Sequence, residues 1–210
     1  MNYKNWIYQI IFFGVIGSVH AQGVKILELQ GGYFNPKGTE AGFIFGGCYG
    51  FSFDERIDMS LGLSYFHKGY TKKSEIASEV VNGIVVNTVE KTLEYSTTLL
   101  PISVNLNIHF PSYSLLNWFF GGSASYQLLF NTENNYEEQI KEKRTYRAFG
   151  WMIRGGTEFR IGTLSSFFLE ALYNICKTKR NEEKVEGLPI WEEVDVSGLG
   201  FRAGVRLEFF

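Results

Sequence analysis

Cysteine is scarce in this chain: Cys48 and Cys176 are the only two, and they stand far apart. In an exported protein such a pair allows one disulfide, but it reads better as two small unpaired residues. Histidine is almost as rare, with His20, His67 and His109, and none is spaced as zinc ligands are. No Walker, dinucleotide-binding or Gly-x-Ser-x-Gly motif occurs, so no catalytic, cofactor-binding or metal site is assigned and no cofactor is expected. The formal net charge of -2 supplies no field to hold nucleic acid. Beyond the N-terminus no apolar run approaches the roughly 20 residues of a helical membrane span.

What the chain does have is aromatic residues and glycine: 19 Phe, 12 Tyr and 23 Gly in 210 residues. Charged residues make up 20%, fewer than on a usual soluble surface. Glycine, aromatics and β-branched residues with few helix formers point to an all-β fold, and the length suits one domain. The first residues, "MNYKNWIYQIIFFGVIGSVHAQ", join Lys4 to a short apolar stretch and a small-residue site. They read as a signal peptide over residues 1–21, cleaved after Ala21, followed by one domain over residues 22–210. No cysteine sits at the cleavage point to carry a lipid anchor.

Most of the mature chain alternates with period two, the strand signature. In residues 42–53 one face is Phe43, Phe45, Tyr49, Phe51 and Phe53, and the other is mostly small. In residues 57–68, Ile57, Met59, Leu61, Leu63 and Tyr65 oppose Asp58, Ser60, Gly62, Ser64 and Lys68. Similar segments cover residues 25–34, 102–110, 118–130, 149–160, 167–175 and the C-terminal "GLGFRAGVRLEFF". These make eight strands, most near the nine to eleven residues of a tilted bilayer crossing. Short turns near Asp54, Pro111 and Gly162 alternate with long polar connections over residues 70–93, 131–146 and 178–193. The expectation is an eight-stranded antiparallel up-and-down transmembrane β-barrel of the outer-membrane kind, with short periplasmic turns and long extracellular loops.

In such a barrel the apolar face meets lipid and the polar face turns inward. The inward set then holds Glu28, Asp58, Arg154, Glu158, Arg160, Glu170, Arg202, Arg206 and Glu208. Eight strands leave room only for side chains, so these charges are expected to pair into a buried structural network within a polar packed interior. A narrow channel is the alternative use of the same residues. Tyr65, Trp118, Tyr126, Phe130, Trp151, Phe167 and Tyr173 would form interfacial girdles.

Asn82-Gly83 is a strong two-residue turn signal. Centred there, one register pairs Val81 with Ile84, His67 with Thr98, Leu63 with Ile102 and Leu61 with Val104, so lipid-facing residues meet. The strands then extend as a ribbon, with Ile76, Val80, Val85 and Val89 as an apolar stripe. That stripe either folds over the barrel mouth, which is favoured, or captures a partner protein by strand addition. His67, near Thr98, Ser96 and Glu94, is the one candidate for a lipid-modifying hydrolase, against an interfacial histidine with no chemistry.

The chain resembles the PorT-like outer-membrane β-barrel family of Bacteroidetes-type bacteria. The carriers are "AQ" after the signal, "GLSYFHKG" at residues 62–69, "LLPISVNLNI" with Pro101, "FLEALYNI" at residues 168–175, and a glycine-rich last strand ending in Phe. The family's aromatic-Leu-Glu-Ile-Pro run is here "YSTTLLP". The architecture is also similar to eight-stranded barrels of the OmpX and OmpA kind. The resemblance implies a non-catalytic structural or partner-binding role, in protein secretion or surface adhesion. The implied partners are outer-membrane lipid, the barrel-assembly machinery during biogenesis, and a protein at the extracellular loops. Phe210 closes the chain on the polar parity, while Phe209 completes the lipid face.

Overall fold

The computed structural model of the chain describes residues 23–54, 56–81, 84–110, 116–136, 139–181 and 191–209. The expected signal peptide, the turn residues Asn82 and Gly83, and Phe210 lie outside them. Ten strands are formed: β1 (Val24–Pro36), β2 (Gly42–Ser52), β3 (Ile57–Val81), β4 (Ile84–Phe110), β5 (Leu116–Asn135), β6 (Ile140–Arg160), β7 (Ser165–Ile175), β8 (Lys177–Asn181), β9 (Trp191–Asp195) and β10 (Gly198–Phe209). β1 pairs antiparallel with β10 and with β2, and β5 pairs with both β4 and β6, so the sheet closes.

The closed circuit has eight strands, because β8 and β9 are continuations. Asn174 pairs with Gly198 and Lys177 with Asp195 in one register, so β8 prolongs β7 and β9 leads into β10. The break between them is bridged. Val196 N–H donates to Cys176 O at 3.0 Å, and the Ser197 hydroxyl accepts from Cys176 N at 3.0 Å. Residues 131–135, 140–146 and 178–181, expected as connections, are thus strand that outruns the apolar belt. At the other end the turn after β2 is fixed by Asp54, whose Oδ1 accepts from Arg56 N at 2.7 Å and Ile57 N at 2.8 Å. This is the aspartate-centred turn geometry the residue type favours.

Alternation sorts the two faces as expected. Leu61, Leu63, Ile102, Val104, Trp118, Phe120 and Trp151 are exposed on the outside, and Phe149 is 80% exposed. Asp58, Asn105, Gln127, Arg154, Glu170 and Arg202 are buried inside. Inward glycines make room for them: a Cβ on Gly204 would lie 2.5 Å from Phe168 Cζ.

Two expectations need correction. The β3–β4 register holds from Ile57↔Ile108 to Val81↔Ile84 but is not unbroken. It slips between Lys72 and Lys73 and slips back between Glu75 and Ala77. Two compensating bulges of one residue restore the original pairing. The interior is also not polar throughout. Toward the long-hairpin end Phe34, Ile44, Phe66, Leu99, Leu129 and Leu172 form one buried apolar cluster on the inward parity. Phe34 and Phe66 meet edge to face, centroids 5.8 Å apart. With no lipid or water to face there, those side chains bury against one another.

Candidate functional site

Two charge clusters and a seal fill the barrel. Nearest the short turns, Arg206 gathers four carboxylates, from β1, β3, β6 and β10. Its Nη1 lies 2.5 Å from Asp58 Oδ2 and 3.4 Å from Glu28 Oε1, and its Nε lies 3.3 Å from Glu208 and 3.8 Å from Glu158. His109 completes the group, 2.6 Å from Asp58 and 3.4 Å from Glu158, with its ring against Phe119. Strand alternation brings these side chains inward from β1, β3, β4, β6 and β10, and only a closed barrel makes them neighbours.

The second cluster lies one layer further in. Arg202 Nε and Nη2 both close on Glu170 Oε1, and Glu170 Oε2 stands 3.6 Å from Arg154 Nη1, all three residues essentially buried. Arg154 also donates to Asn107 Oδ1 from Nε at 3.0 Å and Nη2 at 2.7 Å. Beyond it Gln127 Nε2 donates to Asn174 Oδ1 at 2.7 Å, and Asn174 Nδ2 to Val196 O at 2.9 Å. Asn105 Nδ2 donates to Ser60 Oγ at 3.2 Å. The void between the two charge clusters, bordered by Glu28, His109, Arg154 and Arg206, is about 10 Å³. That is room for about one water molecule. The apolar seal then closes the outer end, and Tyr146 above it donates to Glu192 at 2.6 Å.

The nine residues expected inside divide accordingly. Glu28, Asp58, Arg154, Glu158, Glu170, Arg202 and Arg206 are brought together in the interior. Glu208 is half-buried at the rim. Arg160 is exposed. It has the inward parity but ends β6 opposite Ser166, where the interior already opens to solvent. Asn107 and His109, which share the polar parity of β4, join the clusters in addition to the nine expected charges. Of the hairpin residues, Val80 pairs with Val85 and Val89 with Glu75. Ile76 falls at the second slip. Their side chains, like Asn82 and Gly83, lie outside the described set.

His67 is exposed on the outer face, and its Nδ1 lies 3.0 Å from Thr98 Oγ1, with the ring stacked on Tyr65. Tyr136 donates to Glu94 Oε2 at 3.0 Å. The hydroxyl at the imidazole is therefore a threonine's, and the nearby carboxylate bonds elsewhere.

A closed eight-stranded antiparallel barrel with an apolar exterior and charged interior defines a transmembrane barrel of the outer membrane. Residues 9–175 match the family model described as outer membrane protein beta-barrel domain, and the chain belongs to that family. The fold is similar to the outer membrane protein OprG from Pseudomonas aeruginosa, at 14% identity over 90% of this chain and 97% of that one, TM-score 0.61. It is similar to Neisserial surface protein A, at 12% identity over 90% and 98%, TM-score 0.56. It is also similar to Ail, the attachment invasion locus protein of Yersinia pestis, at 11% identity over 89% and 99%, TM-score 0.52. No curated protein matches the sequence. In this family the short-turn end is periplasmic and the long hairpins are extracellular.

Proposed function

We propose that the chain is a non-catalytic, PorT-like barrel that binds a protein partner through its β3–β4 ribbon, in protein export or surface adhesion. The observation that carries this is the filled interior. With the mouth closed by Phe34, Phe66, Leu99 and Leu129 from the wall itself, the ribbon is not needed as a cap. Capture of a partner strand is thereby favoured over folding across the mouth.

The ribbon also has the form a partner strand requires. β2 stops pairing with β3 at Phe66, and β5 stops pairing with β4 at Leu93. β3 runs on to Val81. At about 3.3 Å per residue, residues 68–81 reach roughly 45 Å further. An extended pair with open outer edges offers unpaired backbone donors and acceptors to an added strand. The threonine at His67 supports a non-catalytic role. Export through a signal peptide over residues 1–21 and insertion by barrel-assembly machinery belong to the same proposal.

Deleting residues 75–90 tests it. The barrel's unfolding temperature in detergent is expected to stay within a few degrees of the parent, while crosslinks to neighbouring proteins in the native membrane disappear. A large fall in the unfolding temperature returns the ribbon to the role of a lid.

A further inference from the structure

We propose that the outward face of β6 and β8 binds the phosphate groups of a lipid headgroup in the outer leaflet. The inference rests on the outer-membrane placement of the barrel and not on the identity of a ribbon partner.

On β6, Lys141, Lys143 and Arg147 are exposed and alternate with inward Tyr146. On β8, Lys177 and Lys179 are exposed and alternate with buried Cys176 and Thr178. Arg147 and Lys179 are Cα partners across the two strands. Like charges directly opposite each other destabilise a strand pair, so an anion bridging them would relieve a cost built into the fold. Phe149 and Trp151 lie just below on the same face, 80% and 66% exposed. Each two-residue step is about 7 Å. Arg147 therefore stands one step above the aromatic belt, at the height where headgroups begin.

The charge is local to this face. On the β5 side the Cα partners of Arg147, Lys143 and Lys141 are Leu128, Thr132 and Asn134, which bring no carboxylate. On the β8 side Glu193 lies 3.3 Å from both Lys177 and Lys179, and their hydrogen bonds hold its carboxyl below the usual range. Glu193, and Asp195 as the Cα partner of Lys177, thus temper two of the cations and leave Lys141, Lys143 and Arg147 as the rest of the patch. At the same height on the β3–β4 face the outward residues are His67, Thr71, Ser96, Thr98 and Glu94. The β3–β4 face thus carries no such run of cations, although Lys37 just past the end of β1 adds one more beside Asp195. Guanidinium beside ammonium suits a phosphate, which takes paired donors from arginine and a point charge from lysine.

The test uses the full mature chain, refolded in phosphocholine micelles and titrated with bisphosphorylated lipid A or its dephosphorylated form. Native mass spectrometry reads the binding. The phosphorylated lipid is expected to bind roughly tenfold tighter or more, the worth of one charge-assisted contact, and about 0.5 M salt should close that gap. Arg147→Glu with Lys179→Glu is expected to abolish the preference, and Thr71→Glu with Thr98→Glu on the opposite face to keep it. Should the reversed pair not fold, Arg147→Gln with Lys179→Gln carries the same expectation. Equal binding of the two lipids by the parent chain, or a preference that survives substitution of Arg147 and Lys179, overturns the proposal. So does soluble inositol hexaphosphate binding as tightly as the lipid, which would mark a site for free polyanions.

Discussion

Arg206→Met is expected to destabilise the folded barrel by about 3–5 kcal/mol, the cost of leaving buried charges without their partner. Arg206 reaches Asp58, Glu28, Glu158 and Glu208, and among these Asp58 and Glu28 are almost wholly buried. Without the guanidinium, His109 is the one basic side chain left among the described groups of that cluster, and it already touches Asp58 and Glu158. The remaining carboxylates would repel across a few ångströms in a space too small to hydrate them. Urea unfolding in lipid vesicles measures the loss. Adding Asp58→Asn and Glu158→Gln to Arg206→Met should recover most of it. A loss below about 1 kcal/mol for Arg206→Met alone would mean the cluster is hydrated.

Glu170→Leu is the second large effect, again about 3–5 kcal/mol. This carboxylate is the shared anion of Arg154 and Arg202, which are 2% and 5% exposed. The two arginines are left unequally. Arg154 keeps two hydrogen bonds to Asn107, while Arg202 keeps a 3.9 Å contact with Met152 Sδ. Arg202→Met should therefore rescue Glu170→Leu better than Arg154→Met does. A double-mutant cycle on the same unfolding assay separates the two couplings. Equal rescue by both would contradict the assigned geometry.

The fold was legible where the two faces of a strand differ in chemistry. Phe43 and Phe45 against small residues, or Leu61 and Leu63 against Gly62 and Ser64, state both the strand and its orientation, because lipid and a packed interior make opposite demands. Parity failed where both faces are apolar. Phe34, Phe66, Leu99 and Leu129 sit on the inward parity, and nothing local distinguishes a seal from a lipid contact until the barrel gathers them. It failed again above the membrane. Lys177–Asn181 forms a strand with no apolar alternation, because no lipid confronts it. The paired slips near Lys72 and Ile76 cancel, so the hairpin's end and base both obey the register that the turn dictates. The site was legible in composition but not in arrangement: matched signs were visible, whereas the choice of Arg206 as hub and Glu170 as shared anion depends on which strands become neighbours. Arg160 shows that parity alone does not tell where the interior ends.

Among the described residues the barrel's own side chains fill its interior and close its outer end. Planar-bilayer recording of the purified, refolded chain tests that most directly. A flat trace is expected at physiological voltages, for the wild type and after deletion of residues 75–90 alike. Steady, salt-dependent conductance steps from the wild type would contradict it.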